Sequence, residues 1–318
     1  MSKSVLVPHL SDAMVRVTEL AAIAAYKMAG RGDEKAADQA AVDAMRTAFN
    51  SVDFKGRIVI GEGERDEAPM LYIGEEVGTG NGPEIDIALD PLEGTTLTAK
   101  AMANALAVLA ISPRGGLLHA PDTYMDKIAI GPGYPEGVVD LDETPAANIN
   151  ALAKAAGKPV EAMTACVLDR PRHAEIIESL RSAGVRICLI SDGDVAGVIN
   201  TTNPDTGIDL YVGQGGAPEG VLAAAALKCV GGQMQGRLVF RNDDERNRAR
   251  RVGVTEFDTK YSLNELASEE TVFCATGVTK GGLVDGVIVG NGVTITDTLV
   301  MSSADGMVRK ILSRHRTA

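Results

Sequence analysis

Between residues 163 and 240 the sequence alternates between two rhythms, and that alternation narrows the fold more than any other feature. Strand-like apolar runs at 163–168, 185–190, 208–212 and 236–240 are separated by helical patterns at 173–183, 194–199 and 218–230. A helix that returns the chain to begin each new strand is the mark of an α/β layer with a largely parallel sheet. Open sheets of this kind bind ligands beyond the carboxyl ends of their strands. The residues at the strand tips are therefore the first place to look for chemistry.

The earlier half is less regular. Helical patterns cover 11–28 and 34–50, and on the second of these Asp38 shares an apolar face with Val42, Met45 and Phe49. An acid there either faces inward or serves as an early-turn charge suited to the helix dipole. A short strand over 57–60 runs into Gly61-Glu62-Gly63, and an alternating run over 84–90 reads as a strand ending at Asp90. The glycine-rich run 77–82 reads as a hairpin loop. A short helix is expected over 96–102, a buried strand over 105–112, and a return strand from 117 to 120. Tyr124 and Lys127 lie near the strand after that. The polar stretch 140–162 marks the boundary of two domains, 1–160 and 161–318.

The strand over 84–90 delivers Asp90-Pro91-Leu92-Glu93-Gly94-Thr95. Two carboxylates three residues apart on a tight turn repel one another unless a cation joins them. The N–H groups of Gly94 and Thr95 suit a phosphate. Metal and phosphate in one loop point to metal-assisted phosphoryl chemistry, although an acidic turn with a helix cap has the same composition.

Other tips carry comparable signals. Glu62 sits between two glycines directly after a strand. Arg170-Pro171-Arg172 follows another, and paired guanidinium groups bind phosphate in a forked manner. Asp192-Gly193-Asp194 ends a third, as a metal site, a sugar-hydroxyl site or an ordinary Asp-Gly turn. Glu219 lies in the first helical turn after Gly213-Gln214-Gly215-Gly216. The glycine spacing there does not fit a dinucleotide fingerprint. Residues 241–251, dense in both signs of charge, read as a solvated helix face. Five such tips are more simply explained by one cleft than by five separate surface turns.

Composition sets the outer limits. The chain has 318 residues and is 45% apolar, enough for a large core, but only 3% aromatic, so that core is aliphatic. A net charge of −12 argues against nucleic acid or an anionic membrane as partners. An anionic substrate then needs bound cations or a small basic pocket. Cys166, Cys188, Cys229 and Cys274 form no C-x-x-C pair and read as four buried free thiols in a reducing cytoplasm. No signal peptide and no membrane-length apolar stretch is visible. A soluble, cytoplasmic protein is expected.

On these residues the chain resembles the class II fructose-1,6-bisphosphatases, within the lithium-sensitive, metal-dependent phosphatases that include inositol monophosphatase. The likeness runs from Tyr26-Lys27 and Gly30-Arg31-Gly32-Asp33, through Ile60-Gly61-Glu62-Gly63-Glu64, the string from Asp66 to Gly74, and Gly215-Gly216-Ala217-Pro218-Glu219-Gly220, to the string from Ala275 to Gly281. Relatives in the wider superfamily usually carry Asp in place of Glu93. Where relatives can carry Lys just before Asp38, this chain has Glu34 and then Lys35.

The resemblance implies a layered αβαβα sandwich of two domains with the site in the cleft. It implies metal ligands at Asp38, Glu62, Asp90, Glu93 and Glu219, assisted by the Leu92 carbonyl, holding two or more Mn²⁺ or Mg²⁺ ions. It implies substrate contacts from Glu93, Gly94, Thr95, Tyr124, Arg170, Pro171, Arg172, Asp192, Gly193, Asp194 and Gly216, with Thr95, Glu62 and Asp90 catalytic. The implied reaction is removal of the 1-phosphate of fructose 1,6-bisphosphate by a metal-activated water. The implied assembly is a homodimer or homotetramer. Sedoheptulose 1,7-bisphosphate or inositol phosphates as substrates, and a non-catalytic sugar-phosphate sensor, are the competing readings.

Overall fold

The computed structural model describes residues 6, 8–63 and 70–316. Glu64 and the start of the string from Asp66 lie outside the described residues. The chain divides into two compact units, one made of Met1–Leu118 and Ser268–Ala318, the other of His119–Ala267. The boundary expected near residue 160 is therefore not where the chain divides. The reason is that the C-terminal strands return to the first sheet, so the second unit is an insertion between two halves of the first.

The first unit opens with α1 (Pro8–Tyr26) and α2 (Glu34–Phe49). Asp33 starts α2 by accepting the Ala36 N–H at 2.9 Å. Val42, Met45 and Phe49 are buried, with Asp38 half-buried one turn earlier. Then come β1 (Lys55–Ile60), β2 (Glu76–Val77), β3 (Glu84–Glu93), α3 (Thr95–Ala99) and β4 (Leu106–Pro113).

In the second unit follow β5 (Tyr124–Ile130), α4 (Pro145–Ala156), β6 (Thr164–Leu168), α5 (Ala174–Ser182), β7 (Arg186–Ile190), α6 (Asp194–Ile199), β8 (Leu210–Gly216) and α7 (Ala217–Val230). The same unit closes with β9 (Gln233–Val239), α8 (Asp243–Arg251), β10 (Lys260–Ser262) and α9 (Leu263–Leu266). The chain then completes the first unit with β11 (Val272–Gly277), β12 (Ile288–Gly290), β13 (Val293–Ser302) and β14 (Met307–Arg316).

The first sheet has the order β12-β13-β11-β4-β3-β1-β2, with β14 along β13. Within it β1 and β3 are parallel and the other neighbours antiparallel. Since β1 lies between β2 and β3, residues 77–82 cross over β1 and do not form a hairpin. The segment expected as a return strand at 117–120 holds only an isolated bridge, because the chain is leaving the first unit there. Strand β3 runs on past Asp90 to Glu93. Its pairing with β4 shifts between those two residues, from Asp90 opposite Val108 to Glu93 opposite Leu106. Pro91 falls inside that bulge, where a missing N–H costs no ladder bond.

The second sheet has the order β10-β9-β5-β8-β6-β7. It is mixed, not largely parallel. β7, β6 and β8 run parallel, while β5 runs antiparallel to both β8 and β9. The strand–helix alternation correctly makes β6, β7, β8 and β9 point one way. β5 enters from the other unit and slots between β8 and β9 against that direction. Cys166, Cys229 and Cys274 are buried free thiols as expected, but Cys188 is only half-buried because β7 is an edge strand. Among the described residues no helix is long and apolar enough to cross a membrane.

A single buried acid ties together the first sheet at the end where β1 and β3 begin. Asp86 on β3 is fully buried and accepts from Arg57 Nε at 3.0 Å and Nη2 at 2.9 Å, and from the Gly115 N–H at 2.7 Å. Removing it strands the Arg57 guanidinium and that of Arg114, whose Nε lies 3.6 Å from Asp86 Oδ1. Asp86→Ala is expected to destabilise the protein by about 3 kcal/mol, read as a lower denaturant midpoint; an unchanged midpoint would show the cluster to be ornamental.

Candidate active site

In the first unit, β1 and β3 run parallel, with Ile60 opposite Ala88. Glu62 lies two residues past Ile60, and Asp90 two past Ala88. Both tips therefore leave the sheet at one edge. Asp38 reaches the same edge from α2, hydrogen-bonded to Glu62. Burial pushes the Glu62 carboxyl up to about 8, and the adjacent Asp38 charge pushes the same way. Asp38 is also raised by burial, offset in part by the bond to Glu62. Two carboxylates in contact need a proton or a cation between them.

The bulge at the end of β3 sets the neighbouring acids. The Leu92 N–H binds Asp90 Oδ1 at 3.0 Å, fixing the turn, and Glu93 is buried. Gly94 caps α3 at φ 89°, and a Cβ there would press on Leu97. Thr95 and Thr96 follow, half-exposed. Thr96 donates to Glu34 Oε1 at 2.8 Å, so the glutamate standing near the relatives' lysine position is spent on pinning α3 to α2. Lys35 is exposed.

In the second unit the carboxyl ends of β6, β7, β8 and β9 share an edge with the start of β5, where Tyr124 pairs with Gly216 and Val239. Arg172 donates to the Gln214 carbonyl from Nε at 3.1 Å and Nη2 at 2.8 Å, and its guanidinium lies 4.8 Å from the centre of the Tyr124 ring. Arg170 stands 3.9 Å from Asp192. Pro171 opens a single 3₁₀ turn ending at His173. His173 is buried, its Nδ1 2.6 Å from the Leu168 carbonyl and its Nε2 receiving the Gln214 N–H at 2.8 Å. Burial lowers its pKa, so the ring is neutral, with Nδ1–H donating and Nε2 accepting. That ring locks the arginine turn to β8. Gly193, at φ 82°, caps α6, which begins at Asp194.

Two residues enter that sequence reasoning did not single out as site residues. Arg241, assigned to a solvated helix face, also lies 4.8 Å from the centre of the Tyr124 ring and is held by Glu245. Its position two residues past the end of β9 was the available signal. Lys127 is buried under the same edge and paired with Asp194.

Glu219 sits in the first turn of α7. Its Oε2 is sealed from solvent and has no hydrogen-bond partner. Burial raises its carboxyl to about 7, with the Asp194 charge adding to the effect. Among the described residues no three His, Cys, Asp or Glu side chains are gathered into a ready-made metal cage. The Asp38–Glu62 contact and the bare Glu219 oxygen nevertheless fit hard divalent cations with oxygen ligands.

A family profile described as "Bacterial fructose-1,6-bisphosphatase, glpX-encoded" matches residues 8–315. The chain is 46% identical to "Fructose-1,6-bisphosphatase 1 class 2" of Escherichia coli strain K12, over 94% of this chain and 93% of that one. It shows the same identity and coverage with the "Fructose-1,6-bisphosphatase class 2" proteins of Escherichia coli O6:H1 and Shigella flexneri.

The raised Glu62 carboxyl has a consequence for stability. A folded acid whose pKa lies above its ordinary 4.5 holds a proton that the unfolded chain releases. Its contribution is complete below pH 4.5 and is lost as pH rises through about 8. In chelator, the melting temperature of the wild type is expected to fall across that window relative to Glu62→Gln, and the two curves should run parallel if the acid pair does not titrate there.

Proposed function

The chain belongs to the bacterial, glpX-encoded fructose-1,6-bisphosphatase family, and from that premise we propose that it hydrolyses the 1-phosphate of fructose 1,6-bisphosphate to fructose 6-phosphate and phosphate. The observation that carries this reading is the bulge ending β3. It puts Asp90, Glu93, Gly94 and Thr95 within one turn, at the edge reached by Asp38 and Glu62.

Asp38, Glu62, Asp90 and Glu93 of the first unit and Glu219 of the second would hold divalent cations, with the Leu92 carbonyl assisting. Two or more Mn²⁺ or Mg²⁺ ions would neutralise these acids and the phosphate and acidify a water. The N–H groups of Gly94 and Thr95 bind the reacting phosphate. The Thr95 hydroxyl orients the attacking water, whose proton passes toward Glu62. As the water oxygen bonds to phosphorus, the bond to the sugar oxygen breaks and that oxygen takes up a proton.

Arg170 and Arg172 grip the distal phosphate, Pro171 holding them apart. Tyr124, Asp192, Asp194 and the backbone at Gly193 and Gly216 contact the sugar. The arginine pair favours a bisphosphate over a monophosphate and leaves sedoheptulose 1,7-bisphosphate as a further substrate. The retained acids and Thr95 weigh against a non-catalytic sensor. Exposed apolar side chains on β12 and β14, among them Ile288, Val289 and Leu312, support self-association as a homodimer or homotetramer. The four free thiols support a cytoplasmic location.

Asp90→Asn is expected to abolish phosphate release from fructose 1,6-bisphosphate in saturating Mn²⁺, and retained turnover would refute the assignment. Thr95→Ala should lower kcat by about 10²–10³ with little change in KM. Arg170→Ala should instead raise KM for the bisphosphate about tenfold or more, while leaving turnover of a simple phosphate monoester unaltered.

A further inference from the structure

The second unit contains a lysine that none of the roles above uses. Lys127 lies in the middle of β5 and is 1% exposed. A lysine is almost never so buried unless paired. Its ammonium contacts Asp194 Oδ2 and donates to the Gly216 carbonyl at 2.8 Å. The Tyr211 hydroxyl, also fully buried, lies 3.5 Å from the same Asp194 oxygen. Lys127 thus ties the first residue of α6 to the residue that caps α7. Glu219, three residues beyond that cap, keeps its Oε2 buried and without a hydrogen-bond partner.

Two acids therefore stand at adjacent helix starts in opposite conditions. Asp194 is in contact with the ammonium, whereas Glu219 feels the same charge only at longer range and keeps an oxygen without a hydrogen-bond partner. A buried carboxylate that no cation touches draws any available one. Without Lys127, both acids would compete for the same added ion, and Asp194 would be free to turn toward it.

We propose that Lys127 is a positioning residue that sorts these two acids, neutralising Asp194 so that it stays aimed at the sugar while Glu219 alone of the pair is left for a divalent cation. This rests on the functional reading above. It assigns Lys127 no contact with substrate or reacting atoms. Its influence runs through Asp194.

The sorting predicts a split that loss of packing would not give. Lys127→Met keeps the length of the side chain and removes its charge. Calorimetric titration of the full-length protein with fructose 6-phosphate should show binding weakened at least tenfold, while titration with Mn²⁺ alone shows affinity unchanged or tighter. General loosening of the unit would weaken both, and that outcome, or no change in either, overturns the assignment. So does weakened Mn²⁺ binding alone.

If Lys127→Met does not fold, Asp194→Asn is compared with Asp194→Asn/Lys127→Met, which removes both charges. Because Lys127 acts through Asp194, the second substitution should add nothing to the loss of fructose 6-phosphate binding. A further loss refutes the sorting. Wild-type protein that binds fructose 6-phosphate but releases no phosphate from the bisphosphate would refute the hydrolysis and leave the Lys127 test intact. Wild-type protein that binds neither sugar phosphate would remove both.

Discussion

Carboxylates brought to one place repel each other, and much of this molecule is arranged around that repulsion. It is resolved in three ways. Asp86, at the far end of β3, is surrounded by two guanidinium groups and a backbone N–H, and it is a structural acid. Asp194 is matched by a buried ammonium. Asp38 and Glu62 lie against each other with raised pKa values, and Glu219 carries a bare buried oxygen. Only the last group has unfinished electrostatics. A fold that can bury an acid against cations where it needs to, as at Asp86, has left Asp38, Glu62 and Glu219 with no ion pair among the described residues. That contrast sets the candidate site apart from the scaffold more sharply than burial alone.

Strand direction brings the tips together. β1 and β3 are parallel, so Glu62 and Asp90 leave the first sheet at one edge. β6, β7, β8 and β9 share a direction, so the arginine turn, the Asp192–Asp194 turn, Glu219 and Arg241 leave the second sheet at one edge. β5, running the other way, contributes Tyr124 from its start and, three residues on and from the opposite face, Lys127. The counter-running strand is what lets a lysine reach beneath two helix starts at once.

Much of this was legible in the sequence, for identifiable reasons. The apolar pattern located α2, β6, β7 and α6 to within a residue or two: α2 buries one face, and the other three are short apolar runs set between polar or glycine-containing turns. The residues expected for the site do fall at or just beyond strand ends, because the runs that precede them are strands in the fold. Three things were hidden. The return of β11, β13 and β14 to the first sheet depends on pairing between residues more than 150 positions apart, such as Cys274 opposite Leu109, which no local pattern encodes. The antiparallel insertion of β5 has no local signature either, since a strand buried on both sides reads the same in either direction. Arg241 was obscured by the charged run behind it, in which Asp243, Arg246 and Arg250 serve the helix face.

The glycines of β8 show how local and global demands meet. Their spacing ruled out a dinucleotide fingerprint but gave no positive reason for so many in one strand. In the fold each makes room for a neighbouring side chain. A Cβ on Gly213 would crowd the His173 ring, which holds the arginine turn; one on Gly215 would overlap the Asp194 carboxylate and press on Lys127; one on Gly216 would overlap the Glu219 carboxylate. Glycine in a strand costs roughly 0.5–1 kcal/mol relative to alanine. Three in four residues is a standing expense on a strand at the centre of a sheet, and packing of the core does not call for it. The strand is thinned where a histidine, an aspartate and a glutamate each come within touching distance of its backbone, so the composition of β8 follows from the side chains packed against it.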